Sequence, residues 1–169
     1  VKAALVAGVN TIRDSAMGRL FDSAATLLHL KEENRFKGEC AMALEQAAVQ
    51  AKRKGKTALP LHLSLKEEKG QLIWHREDLI SSLVEADDTI EEAALGFHRA
   101  IVDMVVESAR LLGVEQVILT GGCFHNGILW TETKEALTKE HFKVYGNEKV
   151  PCGDGGISLG QAFYGLMQG

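Results

Sequence analysis

A short strand that runs into two glycines and an asparagine is the feature of this chain best suited to chemistry. In VILTGGCFHNGILW, residues 117–130, an apolar run precedes Gly121 and Gly122, and a helical pattern begins at Asn126. Glycine lets the backbone approach a ligand closely, and a helix N-terminus offers unpaired N–H groups to a phosphate. The segment is therefore either a tight strand–helix turn or one side of a nucleotide site, with Asn126 as an additional amide contact.

A second junction of this kind lies in VPCGDGGISLGQ, residues 150–161, where Asp154 precedes two glycines and a helical pattern. Asp is a favoured helix N-cap, so a purely structural role is one interpretation. The other is a carboxylate that binds a metal or orients a nucleotide. Two strand–glycine–helix junctions in one α/β unit place both loops at the same edge of the sheet.

Two further glycines stand beside acids at predicted helix starts. In SAMGRLFD, residues 15–22, Ser15 and Gly18 are candidates to touch a phosphate, and Asp22 is a candidate for a ribose hydroxyl. In FKGE, residues 36–39, Gly38 precedes Glu39. Each segment can equally be an ordinary helix start, in which an acid in the first turn complements the helix dipole.

The histidines and cysteines do not define a catalytic group. The six histidines show neither H-x-x-x-H nor H-E-x-x-H spacing, and His98 lies in a long helix where a structural role is expected. His125 falls inside the glycine segment, and Cys123 and Cys152 lie beside the two junctions. No cysteine has a His or Asn partner in a nucleophile arrangement, so the catalytic residue and the roles of these three side chains are left open.

The pattern along the chain predicts a mixed α/β fold. Helices are expected over residues 16–30, 40–54, 76–86, 87–113, 126–140 and 156–167, and strands over 57–65, 70–75, 115–120 and 142–146. The first two strands, separated by KEEKG, are predicted to form a hairpin, and Asp88 with Glu91 a capping box for the longest helix. Strands that alternate with helices in the second half indicate a parallel sheet.

Composition narrows the class of protein. The net charge is −4 with no basic block, which argues against non-specific nucleic-acid binding. No apolar run reaches the ~20 residues that span a bilayer, and three scattered cysteines fit a reducing, cytoplasmic setting. The chain begins with Val1, without a signal peptide or an initiator Met, and we interpret it as part of a longer protein.

Four segments together resemble the C-terminal end of the HypF family, the carbamoyltransferases of [NiFe]-hydrogenase maturation. They are MGRLFDSAATLLHL, FKGECAMALEQAA, VILTGGCFHNGILW and VPCGDGGISLGQAFYG. The resemblance runs from Asn10 to the end of the chain. It implies an actin/Hsp70/sugar-kinase-like (ribonuclease H-like) α/β subdomain with additional helices. Residues 1–169 would form the C-terminal portion of the carbamoyltransferase domain, with a helical segment at 10–56 and an α/β subdomain at 58–169.

The resemblance also implies an activity. Family members make carbamoyl-adenylate from carbamoyl phosphate and ATP, and pass the carbamoyl group to the C-terminal cysteine thiol of a HypE-like partner for cyanide-ligand synthesis. Carried over, Gly121, Gly122 and Asn126 hold the adenosine, and Asp154 is a ligand of a divalent metal, iron or zinc, in the full-length protein. The remaining carried-over residues line the nucleotide from the other side: Gly18, Asp22, Gly38 and Glu39.

Two alternatives to this activity stay open. One is another enzyme of the same fold, either a tRNA threonylcarbamoyl transferase or an ATP-dependent kinase, and the other is a non-catalytic module that docks a partner. The family's remaining metal ligands are an H-x-x-x-H histidine pair, which this chain lacks. The resemblance therefore predicts no metal site and no turnover for these residues alone.

Overall fold

The computed structural model describes residues 2–9, 14–86 and 89–168, and these residues form seven α-helices and four strands. The helices are α1 (Lys2–Val6), α2 (Met17–Leu27), α3 (Glu39–Arg53), α4 (Glu77–Val84), α5 (Ile90–Leu112), α6 (Gly127–Lys139) and α7 (Ile157–Gln168). The strands are β1 (Ser64–Glu68), β2 (Gln71–His75), β3 (Gln116–Leu119) and β4 (Lys143–Gly146). Short 3₁₀ helices occupy Gly122–His125 and Asp154–Gly156.

Helix α5 forms the centre of the core, with α3 and α6 packed along it. Its buried face carries Ala94, Phe97 and Ile101 at the helical spacing that the sequence predicts. One cluster of buried apolar side chains joins α2, α3, α4, α5, β3 and α6. This core draws on residues from both 10–56 and 58–169, and the boundary between those two segments stays a prediction.

Strands β3 and β4 form the parallel pair that the alternation of helices and strands predicts, and α6 connects them. Leu119 of β3 is buried in the core, whereas Ile118 and Tyr145 on the opposite face are 70% and 50% exposed. Period-two alternation of burial is the expected result when a sheet packs on one face only. The sheet therefore presents one face to solvent, on which Ile118 and Tyr145 lie beside Gln116 and Lys143.

Helix α6 lies so close to this sheet that a side chain at the end of β4 would not fit. The indole ring of Trp130, from α6, lies directly against Gly146, and a Cβ at that position would overlap the ring. Phe124 packs edge-on to the same indole, with ring centroids 6.3 Å apart. Trp130 thus fills the space between α6, β4 and the turn that follows β3.

The hairpin is present, but its first strand is displaced from the predicted position. The turn is Lys69-Gly70, with φ of +52° and +77°, and KEE, predicted as the connection, belongs to β1. Two residues with positive φ are typical of the tightest hairpin turns. The strand predicted over 57–65 is wrong for 57–63, because that segment lies along α5, where the Leu59 N–H donates to the Glu92 carbonyl at 2.9 Å.

The extended segment 57–63 reaches α5 because a glycine removes the obstacle. A Cβ built on Gly96, in the middle of α5, would overlap the Leu59 carbonyl and approach the Leu61 side chain. Gly96 is buried within the helix, and the backbone of the neighbouring segment takes the space that a side chain would fill. Close approach of two backbones explains a glycine where helix propensity disfavours one.

The predicted helices are confirmed, with boundaries shifted by a few residues. Gly55 and Gly113 adopt left-handed conformations after α3 and α5, at φ of +66° and +61°, as expected for glycines that end helices. Thr89 directly precedes α5. The capping box predicted from Asp88 and Glu91 cannot be described, because Asp88 lies outside the described residues.

Helix α7 differs from the other long helices because none of its described side chains is buried. Its chief contact is with the 3₁₀ helix Asp154–Gly156 that precedes it. The large apolar side chains that it exposes are Ile157, Leu159, Phe163, Tyr164, Leu166 and Met167.

None of the helices in the described part of the chain combines the length and the apolar character that crossing a membrane would require.

Candidate functional site

The two glycine segments meet at the carboxyl end of β3. The sequence predicts this arrangement, because it places both loops at the same edge of the sheet. The Gly121 N–H donates to the Cys152 carbonyl at 2.7 Å, which ties the turn after β3 to the loop before α7. Between them lies a pocket of about 350 Å³. The lining residues are Thr120, Gly121, Gly122, Asn147, Pro151, Cys152, Gly153, Asp154, Gly156 and Ile157.

The glycines that line this pocket differ in whether the fold requires them. Gly121 has φ of +102°, a conformation that L side chains rarely adopt, whereas Gly122 lacks positive φ and would accept a Cβ in open space. A Cβ on Gly153 would lie 2.8 Å from Nε2 of His125, and one on Gly156 would lie 2.6 Å from the Pro151 carbonyl oxygen. Gly122 is thus the lining glycine that the fold itself does not require.

Asp154 lies at the mouth of the pocket with its carboxylate turned toward solvent. The side chain is 74% exposed, and it forms an ion pair with Lys37. The hydrogen bond and charge of Lys37 lower the pKa of the Asp154 carboxyl. The 3₁₀ helix that begins here has no side-chain cap, so the N-cap interpretation does not describe this carboxylate. The ion pair brings the FKGE segment, 117 residues away in sequence, to the pocket.

Glu39 is buried next to Gly38, and its carboxylate is already occupied by neighbouring groups. Arg35 donates to it from its backbone N–H at 2.8 Å and from its guanidinium at 2.7 Å, and Lys31 lies 2.9 Å away. These bonds, with Arg35 first, lower the pKa of Glu39 to about 2. Gly38 has φ of +86° at the start of α3. Glu39 therefore fixes the loop before α3, and neither residue lines the pocket.

The SAMGRLFD segment lies beside the pocket rather than in it. Helix α2, which contains Gly18 and Asp22, packs against the 3₁₀ helix Gly122–His125. Oδ2 of Asp22 is buried and lies 3.1 Å from the Arg19 guanidinium, an ion-pair contact that lacks the alignment of a hydrogen bond. Ser15 is exposed ahead of α2. Nucleotide contacts by these three residues stay a prediction.

Asn126 is buried, and its amide is held by groups inside the chain. Its Oδ1 accepts from the Leu129 N–H at 2.9 Å and caps α6, and its Nδ2 lies 2.9 Å from Nε2 of His98. His98 is fully buried and contacts the Ala94 carbonyl through Nδ1 at 2.7 Å. The sequence indicated the amide but not its histidine partner. A contact between Asn126 and adenosine stays a prediction.

The two cysteines beside the pocket have different surroundings. Cys123 is half-buried, and burial raises the pKa of its thiol, so it is held in the less nucleophilic form. Cys152 lines the pocket, and its carbonyl accepts from Gly121. Both are free thiols. His125 is exposed, and its ring lies against Gly153 beside Asp154.

The described residues do not provide a complete metal site. No group of three His, Cys, Asp or Glu side chains comes together within 2–9, 14–86 and 89–168. Structural and catalytic zinc sites use at least three protein ligands. Asp154 offers a single carboxylate, and its role as a metal ligand stays a prediction.

Three further polar residues belong to this region and were not predicted. Thr120 donates from its hydroxyl to Oδ1 of Asn147 at 3.0 Å across the pocket rim. Lys37 pairs with Asp154. Thr120 and Lys37 directly precede Gly121 and Gly38, so their positions beside these glycines are a signal in the sequence. Asn147 has no such signal, because it becomes relevant only when β4 pairs with β3.

The fold and the sequence together define the class of protein. Residues 1–161 match the family model described as carbamoyltransferase, Kae1-like domain, second subdomain. The chain is 36% identical over 148 residues to a carbamoyltransferase HypF from Synechocystis sp., a match that covers 87% of this chain and 19% of that protein. The chain belongs to the HypF family.

Solved structures agree with this assignment. A crystal structure of full-length HypF in the phosphate- and nucleotide-bound form superposes with a TM-score of 0.82 at 31% identity, covering 95% of this chain and 21% of that one. The crystal structure of T. kodakarensis HypF superposes with a TM-score of 0.77, also at 31% identity, covering 96% of this chain and 21% of that one. The predicted family and mixed α/β fold are confirmed. The chain spans about a fifth of the length of these relatives.

Proposed function

We propose that this chain forms one side of the nucleotide site of a carbamoyltransferase, in which carbamoyl-adenylate is held while its carbamoyl group passes to a thiol. The observation that carries the proposal is the pocket of about 350 Å³ built jointly by Thr120–Gly122 and the loop around Asp154. It lies at the carboxyl end of a parallel strand, where nucleotides bind in α/β folds. The relatives are named carbamoyltransferases, and we take the proposed reaction class from that name.

The backbone after β3 is suited to hold the adenylate. Gly122 leaves open space above its Cα, and the N–H groups of Gly122 and Cys123 donate to no other group in the described part of the chain. Such donors stabilise phosphate oxygens and the negative charge that develops during acyl transfer. Thr120 and Asn147 offer a hydroxyl and an amide at the rim.

The proposed reaction is acyl transfer from oxygen to sulfur. A thiolate attacks the carbamoyl carbon of carbamoyl-adenylate, a C–S bond forms, and the bond from that carbon to the phosphate oxygen breaks. AMP then leaves with the electron pair of the broken bond. The proposed acceptor is the C-terminal cysteine of a HypE-like maturation protein, and carbamoyl phosphate and ATP supply the adenylate, in the cytoplasm. No step is assigned to the divalent metal, because this chain supplies only Asp154 toward it.

The test is AMP binding to the intact protein, measured by calorimetry for the wild type and for Gly122→Val. Because Gly122 has no positive φ and no neighbour within 4 Å of an added Cβ, the variant should fold normally while its side chain occupies the pocket. We expect binding to weaken at least about tenfold, which is the effect of losing about 1.4 kcal/mol of binding energy. Gly165→Ala, also in open space but on α7, is the matched control and should bind AMP as the wild type does.

The products of the reaction separate the proposal from its alternatives. With ATP, carbamoyl phosphate and a HypE-like acceptor, the proposal predicts AMP release and carbamoyl label on the acceptor thiol. ADP release would instead indicate a kinase of the same fold. Equal AMP affinity in the wild type and in Gly122→Val, with both folded, would reject the pocket as the nucleotide site.

A further inference from the structure

His98 is the one fully buried histidine in the described part of the chain, and the proposed reaction gives it no role. It projects from α5 into the space between α2 and the start of α6. The Phe21 ring, adjacent to Asp22 in α2, meets the imidazole edge-on with ring centroids 5.6 Å apart. On its other side the imidazole contacts Asn126. His98 thus stands between two of the segments proposed to line the nucleotide.

The hydrogen bonds around His98 determine which ring nitrogen carries the proton. The Ala94 carbonyl can only accept, so Nδ1 carries the hydrogen and donates at 2.7 Å. Nε2 is then an acceptor, and it receives the Nδ2–H of Asn126 at 2.9 Å. The Asn126 amide is thereby oriented with Oδ1 toward the Leu129 N–H. One continuous chain of directed bonds runs from the middle of α5 to the first turn of α6.

The same asparagine ends the turn that lines the pocket. The Asn126 N–H donates to the Cys123 carbonyl at 3.1 Å, and the Phe124 N–H donates to the Gly121 carbonyl at 3.0 Å. A reoriented Asn126 amide would present a donor to the Leu129 N–H and an acceptor to a ring nitrogen without a hydrogen. Both bonds would be lost at once, and with them the connection between α5 and the turn.

Burial supports the assigned form of the imidazole, since removal from water lowers the pKa of His98. The charged groups that face it are Glu132, from α6, and Lys52, from α3. These two side chains pair with each other at 2.6 Å, so their effects on the imidazole largely offset.

We infer that His98 is a positioning residue, whose imidazole holds the Asn126 amide and thereby fixes the turn Gly121–His125 beneath the nucleotide pocket. The inference rests on the proposed nucleotide site for its consequence, but the fixed turn itself is a property of the fold. No contact between His98 and the nucleotide is implied, because the side chain is fully buried behind Asn126.

The experiment compares two replacements of His98 in the intact protein by amide hydrogen exchange. Gln places an oxygen close to the position of Nε2 and can still accept from Asn126, whereas Phe fills similar volume without an acceptor. We expect exchange of the 124–129 amides to rise at least about tenfold in His98→Phe, because a buried donor is left unpaired, and to stay within about threefold in His98→Gln. Equal exchange in the two variants would overturn the inference.

A second core variant separates positioning from simple loss of stability. Leu79→Ala opens a cavity in α4 without touching the bonds around His98, so it should lower the melting temperature and leave exchange at 124–129 unchanged relative to exchange in α5. If Leu79→Ala loosens that turn as much as His98→Phe does, His98 has no specific role there.

AMP affinity supplies the last readout. We expect His98→Phe to bind AMP at least about fivefold more weakly than His98→Gln, as an unpaired buried group at the turn disturbs the lining. If the wild type binds no AMP, the proposed function fails, and the exchange data still decide whether His98 fixes the turn. If AMP binds and His98→Phe binds it equally well, the inference about His98 fails alone.

Discussion

The Glu39 carboxylate makes the stability of the folded state depend on pH. Its bonds to Arg35 and Lys31 are stronger when it is ionised, so the folded state holds its pKa at about 2. In the unfolded chain the same group titrates near its ordinary value of about 4.3. Folding therefore favours the ionised form of Glu39, and protonation of Glu39 destabilises the folded state.

Replacing Glu39 by Gln should lower stability at pH 7, since Arg35 and Lys31 lose the charge that they surround. The folded pKa is depressed, so the stabilisation is present above about pH 4.3 and disappears as pH falls toward 2. The difference in unfolding midpoint between wild type and variant should therefore shrink across that interval. Urea unfolding at several pH values measures it.

Glu33→Gln is the matched control, because Glu33 is an exposed acid in the same loop. It should change the midpoint little at any pH. A Glu39→Gln effect that stays constant from pH 7 to pH 2 would show that shape, and not charge, accounts for the loss.

His98 should give a pH dependence in a different range. Since the folded state lowers its pKa below the ordinary value of about 6.5, the unfolded chain takes up the proton first as pH falls. Stability from the uncharged form is thus complete above about pH 6.5 and declines below it. The stability advantage of the wild type over His98→Gln should shrink on acidification from pH 7 to pH 5, measured by chemical unfolding, and an advantage that grows would contradict this account.

At the scale of elements, the close crossing of α5 and the extended segment 57–63 depends on Gly96. Gly96→Ala should destabilise the protein by about 1–3 kcal/mol, because the added methyl must displace the Leu59 backbone. Gly165→Ala is the control, as it lies in open space within α7 and should be neutral or stabilise by about 0.5–1 kcal/mol. Urea unfolding of both variants checks the sign, and a neutral Gly96→Ala would disprove the tight crossing.

Helices could be predicted from sequence where one apolar face is buried, and the displaced hairpin shows where this fails. The stripe of α5 and the glycines after α3 and α5 carry the signal locally. Strand β1, SLKEE, is polar and largely exposed, so neither alternation nor β-branched residues mark it. The apolar run before it predicts a strand, because apolar character alone does not distinguish a strand from an extended segment packed on a helix.

The candidate site was predictable only in its local parts. Gly121, Gly122 and Asp154 were found because each junction carries its own motif. The partners that complete the region are separated by long stretches of chain: 28 residues between His98 and Asn126, and 117 between Lys37 and Asp154. Such pairs depend on how the helices pack, and helix packing cannot be derived directly from a single sequence.

At the scale of the whole molecule, α7 is the least integrated of the helices longer than the five-residue α1. It buries no described side chain and contacts mainly the 3₁₀ helix before it, so few interactions resist its local unfolding. Amides in α7 should exchange at least about tenfold faster than those in the middle of α5, because the α5 amides exchange only when the core unfolds. Hydrogen exchange with fragment analysis tests this, and comparable protection in both helices would contradict it.

Removing residues 157–169 tests the same point independently. The deletion should lower the melting temperature by only a few degrees. Leu44→Ala in the core should lower the free energy of unfolding by about 2–5 kcal/mol and the melting temperature by a larger amount than the deletion does. A deletion as damaging as Leu44→Ala would mean that α7 supports the core.

The contact between Trp130 and Gly146 gives the molecule an optical reporter of its own. Of the two tryptophans, Trp74 is hydrogen-bonded to Ser108 on the hairpin side, and Trp130 lies between α6 and the parallel strands. In Trp74→Phe, the tryptophan fluorescence of residues 1–169 would come from the indole beside the turn after β3 alone. Movement of that turn would then register as a change in emission wavelength, without any label attached to the protein.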